Sequence, residues 1–265
     1  MKIGFVQFAP VFGNVDATLE RLSPLLDRAG EAELLVLPEL ANSGYAFRSL
    51  EEARKGAEEI GKGPFSTFLK ERCRDRGTYI VAGINERAGD RLYNSSVLVG
   101  PDGVQGSYRK LHLFKDEKDF FSPGDLGLPV FQIGAFCIGM LICFDWIFPE
   151  VWRILALQGA DIIAHPANLV LPGLAQRAVP VHALTNRIFA VTANRIGTER
   201  GLTFTGGSLV ADPTGAVLVE GTASKDHVGI VDIREDLARD KRVTDRNDIF
   251  QDRRPDQYTL LTHSV

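Results

Sequence analysis

The feature that most constrains the fold of this chain is an internal repeat. The predicted order of strands and helices in the first half returns from Phe136 onwards, and short segments match across the halves. The clearest pairs are residues 35–38 with 163–166 and residues 79–82 with 189–192. Two mixed sheets that each carry helices on one side can bury their other faces against each other. The repeat therefore predicts an α/β fold, a four-layer α-β-β-α sandwich with an internal pseudo-twofold relation.

The repeat also sets the expected domain organisation. A chain of 265 residues can form one large α/β domain or two ordinary ones. Because no linker rich in Pro, Gly or Ser separates the halves, we predict a single domain over residues 1–265. Residues 232–265 form a charged, loop-like tail that we expect to pack on a partner subunit.

Composition excludes several classes of protein. Hydrophobic residues make up 45% of the chain and charged residues 24%, which is enough for a substantial core. The net charge of −4, with no block of like charges, argues against nucleic-acid binding and against a membrane-surface protein. The longest uncharged run is interrupted by Gly127 and Pro129, so no membrane span is predicted. The first ten residues do not resemble a signal peptide, and we expect a cytoplasmic protein.

Three polar side chains directly follow predicted strands. Glu39 comes after residues 36–38, Lys110 after the strand ending at Arg109, and Cys143 after the apolar run 136–142. Because ligands of open α/β sheets gather beyond the strand ends, we expect these side chains to approach one another. Glu39 and Lys110 could form a structural ion pair, and most buried cysteines are inert. A thiol between them instead favours catalysis, since the carboxylate can accept its proton and the ammonium can stabilise an anion.

The segment around Cys143 reads as a strand, a tight turn and a helix. Pro149 and Glu150 suit the first turn of that helix. Backbone N–H groups at the turn, beginning with that of Phe144, would face the reacting atom and could hold an oxyanion.

These segments resemble the signature motifs of a known family. Residues 36–40 (VLPEL), 108–114 (YRKLHLF) and 142–150 (ICFDWIFPE) are similar, in order and spacing, to those of the nitrilase superfamily of carbon–nitrogen hydrolases. The similarity extends to residues 164–168 and 206–215, and within the family it is greatest to the aliphatic amidases.

The resemblance implies a Glu-Lys-Cys triad, with Glu39 as general base, Lys110 as oxyanion stabiliser and Cys143 as nucleophile. It also implies a second glutamate a few residues past the lysine, and Glu117 fits best, with Asp116 and Asp119 close by.

The implied reaction is hydrolysis of a small, aliphatic carboxamide to a carboxylic acid and ammonia through a cysteine thioester. The resemblance implies no metal and no organic cofactor, and it implies a homodimer or a larger homo-oligomer.

Three further residues are candidates for substrate binding. Tyr45 lies in a loop just beyond the Glu39 strand, and Trp146 lies three residues past the nucleophile. Either aromatic side chain could wall a narrow cavity, and either could equally belong to the core. Asn168 holds nearly the position in the second half that Glu39 holds in the first, so by symmetry it should point at the same cleft. Asparagine at such a place can also simply cap a turn.

Other functions use some of the same residues. Nitrile hydrolysis and N-carbamoyl amide cleavage need the same triad, and Arg177 or Arg195 could bind a substrate carboxylate. A Cys-His hydrolase would use His112 as its base. A zinc hydrolase is disfavoured because no histidines have ligand spacing. A catalytically silent scaffold would have no need of a thiol beside an ion pair.

Overall fold

The computed structural model describes residues 1–263, which fold into fourteen strands and seven α-helices. The strands are β1 (Lys2–Gln7), β2 (Leu34–Val36), β3 (Tyr79–Ala88), β4 (Arg91–Gly100), β5 (Gly103–Arg109), β6 (Val130–Ile133), β7 (Phe136–Met140), β8 (Ile162–Ala167), β9 (Phe189–Asn194), β10 (Thr198–Glu199), β11 (Leu202–Thr203), β12 (Leu209–Ala211), β13 (Val217–Glu220) and β14 (His227–Asp232). The helices are α1 (Val15–Arg28), α2 (Leu50–Lys55), α3 (Pro64–Arg76), α4 (Glu117–Phe120), α5 (Pro149–Leu157), α6 (Leu174–Asn186) and α7 (Glu235–Arg239). Short 3-10 helices cover Cys143–Ile147, Pro255–Gln257 and Thr259–Thr262.

Two six-stranded mixed sheets with matching topology form the centre of the molecule. The first has the order β14-β1-β2-β3-β4-β5, and the second has the order β13-β12-β9-β8-β7-β6. In the first sheet β1, β2 and β3 run parallel, and in the second β7, β8 and β9 do the same. Antiparallel strands flank each parallel set. The predicted fold class, two mixed sheets related by an internal repeat, is confirmed.

Alternating side chains of the central strands build the layers, because successive residues of a strand point to opposite faces. In β1, Phe5 joins the large apolar cluster that also holds Ile138 and Met140 of the opposite sheet. The next residue, Val6, joins a separate cluster with Leu22 of α1 and other helix residues. Burying one such large side chain contributes roughly 1.5–3 kcal/mol. The sandwich thus has one apolar layer between the sheets and further apolar contacts beneath the helices.

Some elements were not predicted from the sequence. These are the helices α2, α4 and α7 and the strands β6, β10, β11 and β14. Strand β14 pairs antiparallel with β1 through Lys2 and Asp232. None of the helices in residues 1–263 combines the length and apolar character that a bilayer span requires.

The tail begins at the end of β14 and makes contacts with its own chain. Lys241 Nζ donates a hydrogen bond to the carbonyl of Arg187 at 2.8 Å, and the Arg187 side chain donates to the carbonyl of Asp240 at 3.1 Å. Further on, Leu260 and Leu261 are 80% and 68% exposed. That this end of the tail packs on a partner subunit stays a prediction.

Candidate active site

The strand that leads to Cys143 ends in a strained turn. After β7, Leu141 and Ile142 are fully buried, and Cys143 then adopts the left-handed conformation, with φ of 42°. Such a backbone costs a non-glycine residue about 1–3 kcal/mol and persists only where its surroundings fix it. A 3-10 helix starts at Cys143, so the N–H of Phe144 lies at its unpaired N-terminal end. The predicted order of strand, turn and helix is what the structure contains.

Neighbouring polar groups fix this turn. The backbone N–H of Ile142 donates to Asp145 Oδ2 at 2.9 Å, and His165 Nε2 lies 2.9 Å from the carbonyl oxygen of Cys143. Both side chains are fully buried. Burial lowers the pKa of His165 to about 4, so the ring is neutral near pH 7 and can donate to that carbonyl from Nε2.

Lys110 lies between two buried carboxylates. Its Nζ is 2.8 Å from Glu39 Oε1 and 2.8 Å from both carboxylate oxygens of Glu117. Burial opposes the charge on Lys110, but Glu117 and Glu39 outweigh burial and hold its pKa above the ordinary value. Burial, opposed by Lys110, raises the pKa of Glu117. The lysine therefore stays an ammonium. The other candidates for the second carboxylate, Asp116 and Asp119, are exposed and have no contact with Lys110 among the hydrogen bonds of residues 1–263.

Asn94, which was not predicted as a site residue from the sequence, completes this cluster. Its Nδ2 donates to Glu39 Oε1 at 2.7 Å, and its backbone carbonyl accepts the N–H of Lys110 at 2.9 Å. Among residues 1–263, Glu39 Oε2 has no hydrogen-bond partner. One oxygen of Glu39 is thus held by two donors, while the other is free. The available signal was the run of three polar residues, Asn94-Ser95-Ser96, in the middle of β4.

The Cys143 thiol shares its environment with these charges. Burial, and after it the Glu39 carboxylate, raises the pKa of Cys143 well above its ordinary value, although Lys110 and the backbone N–H of Asn168 oppose the shift. The sulfur therefore rests as a neutral thiol, and it needs a base to become a nucleophile.

The three predicted substrate-binding residues lie in different surroundings. Tyr45 donates its hydroxyl hydrogen bond to Glu117 Oε1 at 2.7 Å, and Asn168 Nδ2 donates to the backbone carbonyl of Glu39 at 2.9 Å. Asn168 Oδ1 is buried without a partner in the described part of the chain. Trp146 lies in the main core cluster, where its carbonyl is 2.8 Å from His182 Nε2.

A cavity of about 250 Å³ lies beside Tyr45 and Glu117. Apolar and charged side chains share its wall, and five of the thirteen lining residues are charged. The lining residues are Tyr45, Ala46, Phe47, Arg48, Phe114, Lys115, Asp116, Glu117, Phe120, Phe121, Val170, Arg200 and Leu202.

The side chains behind two competing assignments, a Cys-His hydrolase and a carboxylate binder, have the following surroundings. His112 Nδ1 lies 2.7 Å from Asp145 Oδ1, and the His112 ring stacks on Phe148 with ring centroids 3.6 Å apart. It is engaged with Asp145 rather than with the thiol. Arg195 is buried, and its Nη2 donates to Glu199 Oε2 at 2.7 Å, while Nε and Nη1 have no hydrogen-bond partner among residues 1–263. That Arg195 binds a substrate carboxylate stays a prediction. Arg177 is exposed on α6.

Histidine, cysteine and acidic side chains do not gather into a potential metal site anywhere in residues 1–263.

Comparisons with known proteins agree with the fold and the motifs. The family described as carbon-nitrogen hydrolase matches residues 2–242. A protein of Pyrococcus abyssi named nitrilase is 50% identical over 97% of this chain and 99% of its own length. An (R)-stereoselective amidase of a Pseudomonas species is 38% identical over 96% of this chain and 92% of its own.

A solved structure extends the comparison to three dimensions. An amidase from a Nesterenkonia species superposes with a TM-score of 0.82 at 27% identity, covering 98% of this chain and 96% of that one. In a Glu-to-Gln variant of that amidase, acrylamide has undergone Michael addition at the active-site cysteine. This chain therefore belongs to the carbon–nitrogen hydrolase family, within the nitrilase superfamily. It is an enzyme that acts on non-peptide carbon–nitrogen bonds.

Proposed function

We propose that this enzyme hydrolyses small aliphatic carboxamides to carboxylic acids and ammonia through a thioester on Cys143. Glu39 is the general base, Lys110 and the backbone N–H of Phe144 stabilise the oxyanion, and Glu117 holds Lys110 in place.

The observation that carries this proposal is that the two oxygens of Glu39 differ in their hydrogen-bond partners. Oε1 is held by Lys110 and Asn94, while the buried Oε2 has no partner among residues 1–263. A neutral thiol whose pKa is raised needs such an acceptor before it can attack. A carboxylate fixed by one oxygen and free at the other suits this role, because its orientation is set before the proton arrives.

The proposed first stage forms the thioester. The thiol proton of Cys143 passes to Glu39 as the sulfur attacks the amide carbon, and the carbonyl electron pair moves onto oxygen. The ammonium of Lys110 and the N–H of Phe144 stabilise that oxyanion, because donors aimed at the developing charge lower the energy of the transition state. When the oxyanion collapses, the carbon–nitrogen bond breaks and Glu39 returns its proton to the leaving ammonia.

The second stage hydrolyses the thioester. Water attacks the thioester carbon while Glu39 takes a proton from it, and the oxyanion forms again at the same donors. Collapse breaks the carbon–sulfur bond, and the proton held by Glu39 returns to the sulfur of Cys143. One carboxylate thus alternates between base and acid, and the net change is amide plus water to acid plus ammonia.

Three features of the structure favour substrate-binding roles for residues near the triad. Tyr45 donates to Glu117, and burial followed by Glu117 raises the pKa of Tyr45, so its hydroxyl remains a donor near pH 7. The unpaired Oδ1 of Asn168 is an acceptor of the kind that an amide N–H needs. The cavity of about 250 Å³ beside Tyr45 and Glu117 has room for a short acyl group. Trp146 lies in the core cluster and outside the lining of this cavity, so any role in substrate binding would be to support the wall from behind.

Nitrile hydrolysis is the second candidate, favoured by the name of the 50% identical relative from Pyrococcus abyssi. Attack of the same thiol on a nitrile carbon would place negative charge on nitrogen rather than on oxygen. N-carbamoyl amides present a carbonyl to the same donors, and they form a third arm of the test.

The experiment is an ammonia-release screen over acetamide, propionamide and butyramide, the corresponding nitriles, and N-carbamoyl amines. We expect the amides to give the highest kcat/KM, with Cys143→Ala and Cys143→Ser reduced by at least ~10⁴-fold. A nitrile that outperforms its amide would favour the second candidate. Ammonia release by Cys143→Ala at the wild-type rate would refute the proposed chemistry.

A cytoplasmic location and a homodimeric or larger assembly accompany this proposal as predictions. Light scattering of the purified enzyme measures the second directly.

A further inference from the structure

Glu199 is a buried carboxylate that belongs to none of the predicted site motifs. Its Oε1 accepts the backbone N–H of Tyr45 at 2.8 Å and that of Ala46 at 2.6 Å, and its Oε2 accepts Arg195 Nη2 at 2.7 Å. Hydrogen bonds with an ionised partner are shorter and stronger than neutral ones. A side chain with 5% exposure and three such bonds is rigid, and it makes the two residues bound to it rigid as well.

The hairpin that carries Glu199 contacts the same segment a second time. Glu199 ends β10, and the next residue, Arg200, donates to the carbonyl of Ala46 at 3.1 Å. Arg200 also forms two hydrogen bonds of 2.6 Å with Glu52. The hairpin therefore binds both the N–H groups and a carbonyl of the Tyr45–Ala46 segment. Leu202 of β11 lines the cavity, so the same hairpin also forms part of its wall.

The residue before Tyr45 shows how closely the carboxylate approaches this loop. Gly44 has φ of 84°, a conformation that residues with a side chain rarely adopt. A Cβ at this position would lie 2.8 Å from Glu199 Oε2 and 2.7 Å from Phe12 Cδ2. The loop conformation and the position of Glu199 thus depend on each other.

The ring of Tyr45 is fixed by a second contact from the same region. Phe204 meets it edge to face, with ring centroids 6.0 Å apart, and the Arg195 guanidinium lies 4.2 Å from the centroid of Phe204. The Tyr45 hydroxyl then reaches Glu117, whose carboxylate holds Lys110. A continuous set of contacts therefore leads from Glu199 to the ammonium proposed to stabilise the oxyanion.

We propose that Glu199 is a positioning residue for catalysis. It fixes Tyr45 so that the tyrosine hydroxyl stays on Glu117, and in this way it sets the place of Lys110. The inference rests on the proposed function. The competing explanation is that Glu199 only stabilises the fold, and the two explanations differ in whether its effect passes through the hydroxyl of Tyr45.

A double-mutant cycle with Glu199→Gln and Tyr45→Phe separates these explanations. Each single variant should lower kcat/KM for butyramide by roughly tenfold, mainly in kcat, because the affected group acts on the transition state. If Glu199 acts through Tyr45, the double variant should match Tyr45→Phe within about twofold. Effects that multiply to roughly 100-fold would overturn the proposal, as would a Glu199→Gln enzyme with wild-type kcat/KM.

A second variant covers the case in which Glu199→Gln does not fold. Arg200→Ala removes a partly exposed side chain, releases the Ala46 carbonyl and should show a smaller loss that also disappears in the Tyr45→Phe background. A loss that persists there in full would count against the proposal.

Glu58→Gln is the matched control. Glu58 is also buried and accepts two consecutive backbone N–H groups, those of Phe65 at 3.1 Å and Ser66 at 2.8 Å. We expect it to lower the melting temperature without changing kcat/KM in either background. Failure of the proposed function would be visible separately, as ammonia release by Cys143→Ala, whatever the result of the cycle.

Discussion

The two halves of the repeat end equivalent strands with different chemistry. In the first half the segment after β2 leads to Glu39, and in the second half β8 is followed directly by Asn168. The two side chains are 0% and 1% exposed, and Asn168 Nδ2 donates to the backbone carbonyl of Glu39 at 2.9 Å. Equivalent positions therefore meet at one cleft, with a carboxylate on one side and an uncharged amide on the other.

The same asymmetry extends to the rest of the site. The first half supplies the charged groups, and both carboxylates, Glu39 and Glu117, pair with Lys110. The second half supplies a thiol and a histidine that are both neutral near pH 7, because burial raises the pKa of Cys143 and lowers that of His165. An unpaired buried charge is costly, so a second charged set would destabilise the same cleft. The comparison indicates that one half provides the electrostatics and the other provides the nucleophile.

The strongest disruption of this arrangement is Lys110→Met. It leaves the Glu39 and Glu117 carboxylates without their shared partner, and breaking a buried pair in this way costs about 3–5 kcal/mol of stability. We also expect kcat/KM to fall by at least ~10³-fold, because a charged donor to the oxyanion is lost. Chemical denaturation and ammonia-release kinetics measure the two effects.

Lys241→Met is the matched control for this change. Lys241 is half-buried, and its Nζ donates to the carbonyls of Asn186 and Arg187 rather than to a carboxylate. Its loss should cost less stability and leave kcat/KM unchanged. Equal stability losses for the two lysines would contradict the account of the ion cluster.

The next change makes the second half resemble the first. Asn168→Asp adds a carboxylate beside Glu39 and removes the donor to its carbonyl, since an ionised aspartate only accepts hydrogen bonds. The added negative charge should raise the pKa of Cys143 further and lower kcat/KM by roughly 100-fold. The pH dependence of Cys143 alkylation by iodoacetamide should move to higher pH.

Asn85→Asp provides the comparison outside the site. Asn85 is buried and donates to the carbonyl of Ala53 at 2.8 Å. We expect it to lower stability while leaving the alkylation profile at its wild-type position. The reading of Asn168 is wrong if its aspartate variant alkylates with an unshifted profile.

The smallest expected effect concerns the pH dependence of stability. The pKa of His165 falls from an ordinary value of 6.5 to about 4 on folding, because the ring is buried. Below pH 6.5 the unfolded chain therefore binds a proton that the folded one does not, and stability falls as pH falls from 6.5 towards 4. At pH 5 the loss is about 2 kcal/mol. Denaturation of wild type and His165→Gln across this range should show wild type losing more stability, and parallel curves would exclude the effect.

The sequence predicted those parts of the site that local patterns specify. Glu39, Lys110 and Cys143 each come directly after a strand predicted from the sequence, and the structure brings the three together. The repeat predicted the paired sheets because the local sequence pattern of each half indicates the same order of strands and helices. The roles of these residues in catalysis remain proposals.

The remaining features depend on contacts between distant segments. Glu199 reaches Tyr45 across 154 residues, and β14 pairs with β1, which lies at the other end of the chain. The partner of Arg195 lies four residues on, and the sequence did not indicate that Glu199 is a buried carboxylate. Asn94 lies on a buried strand face whose neighbours come from other strands. The local pattern of apolar and polar residues does not indicate which distant residues will be in contact.

The central claim is that Cys143 carries the acyl group while Glu39 moves the protons. Rapid acid quenching of wild-type enzyme with butyramide, followed by peptide mass spectrometry, tests it most directly. The account predicts a butyryl group on the peptide containing Cys143, formed together with the first equivalent of ammonia, and no adduct in Cys143→Ala. An acyl group on another residue, or butyramide turnover by Cys143→Ala, would contradict it.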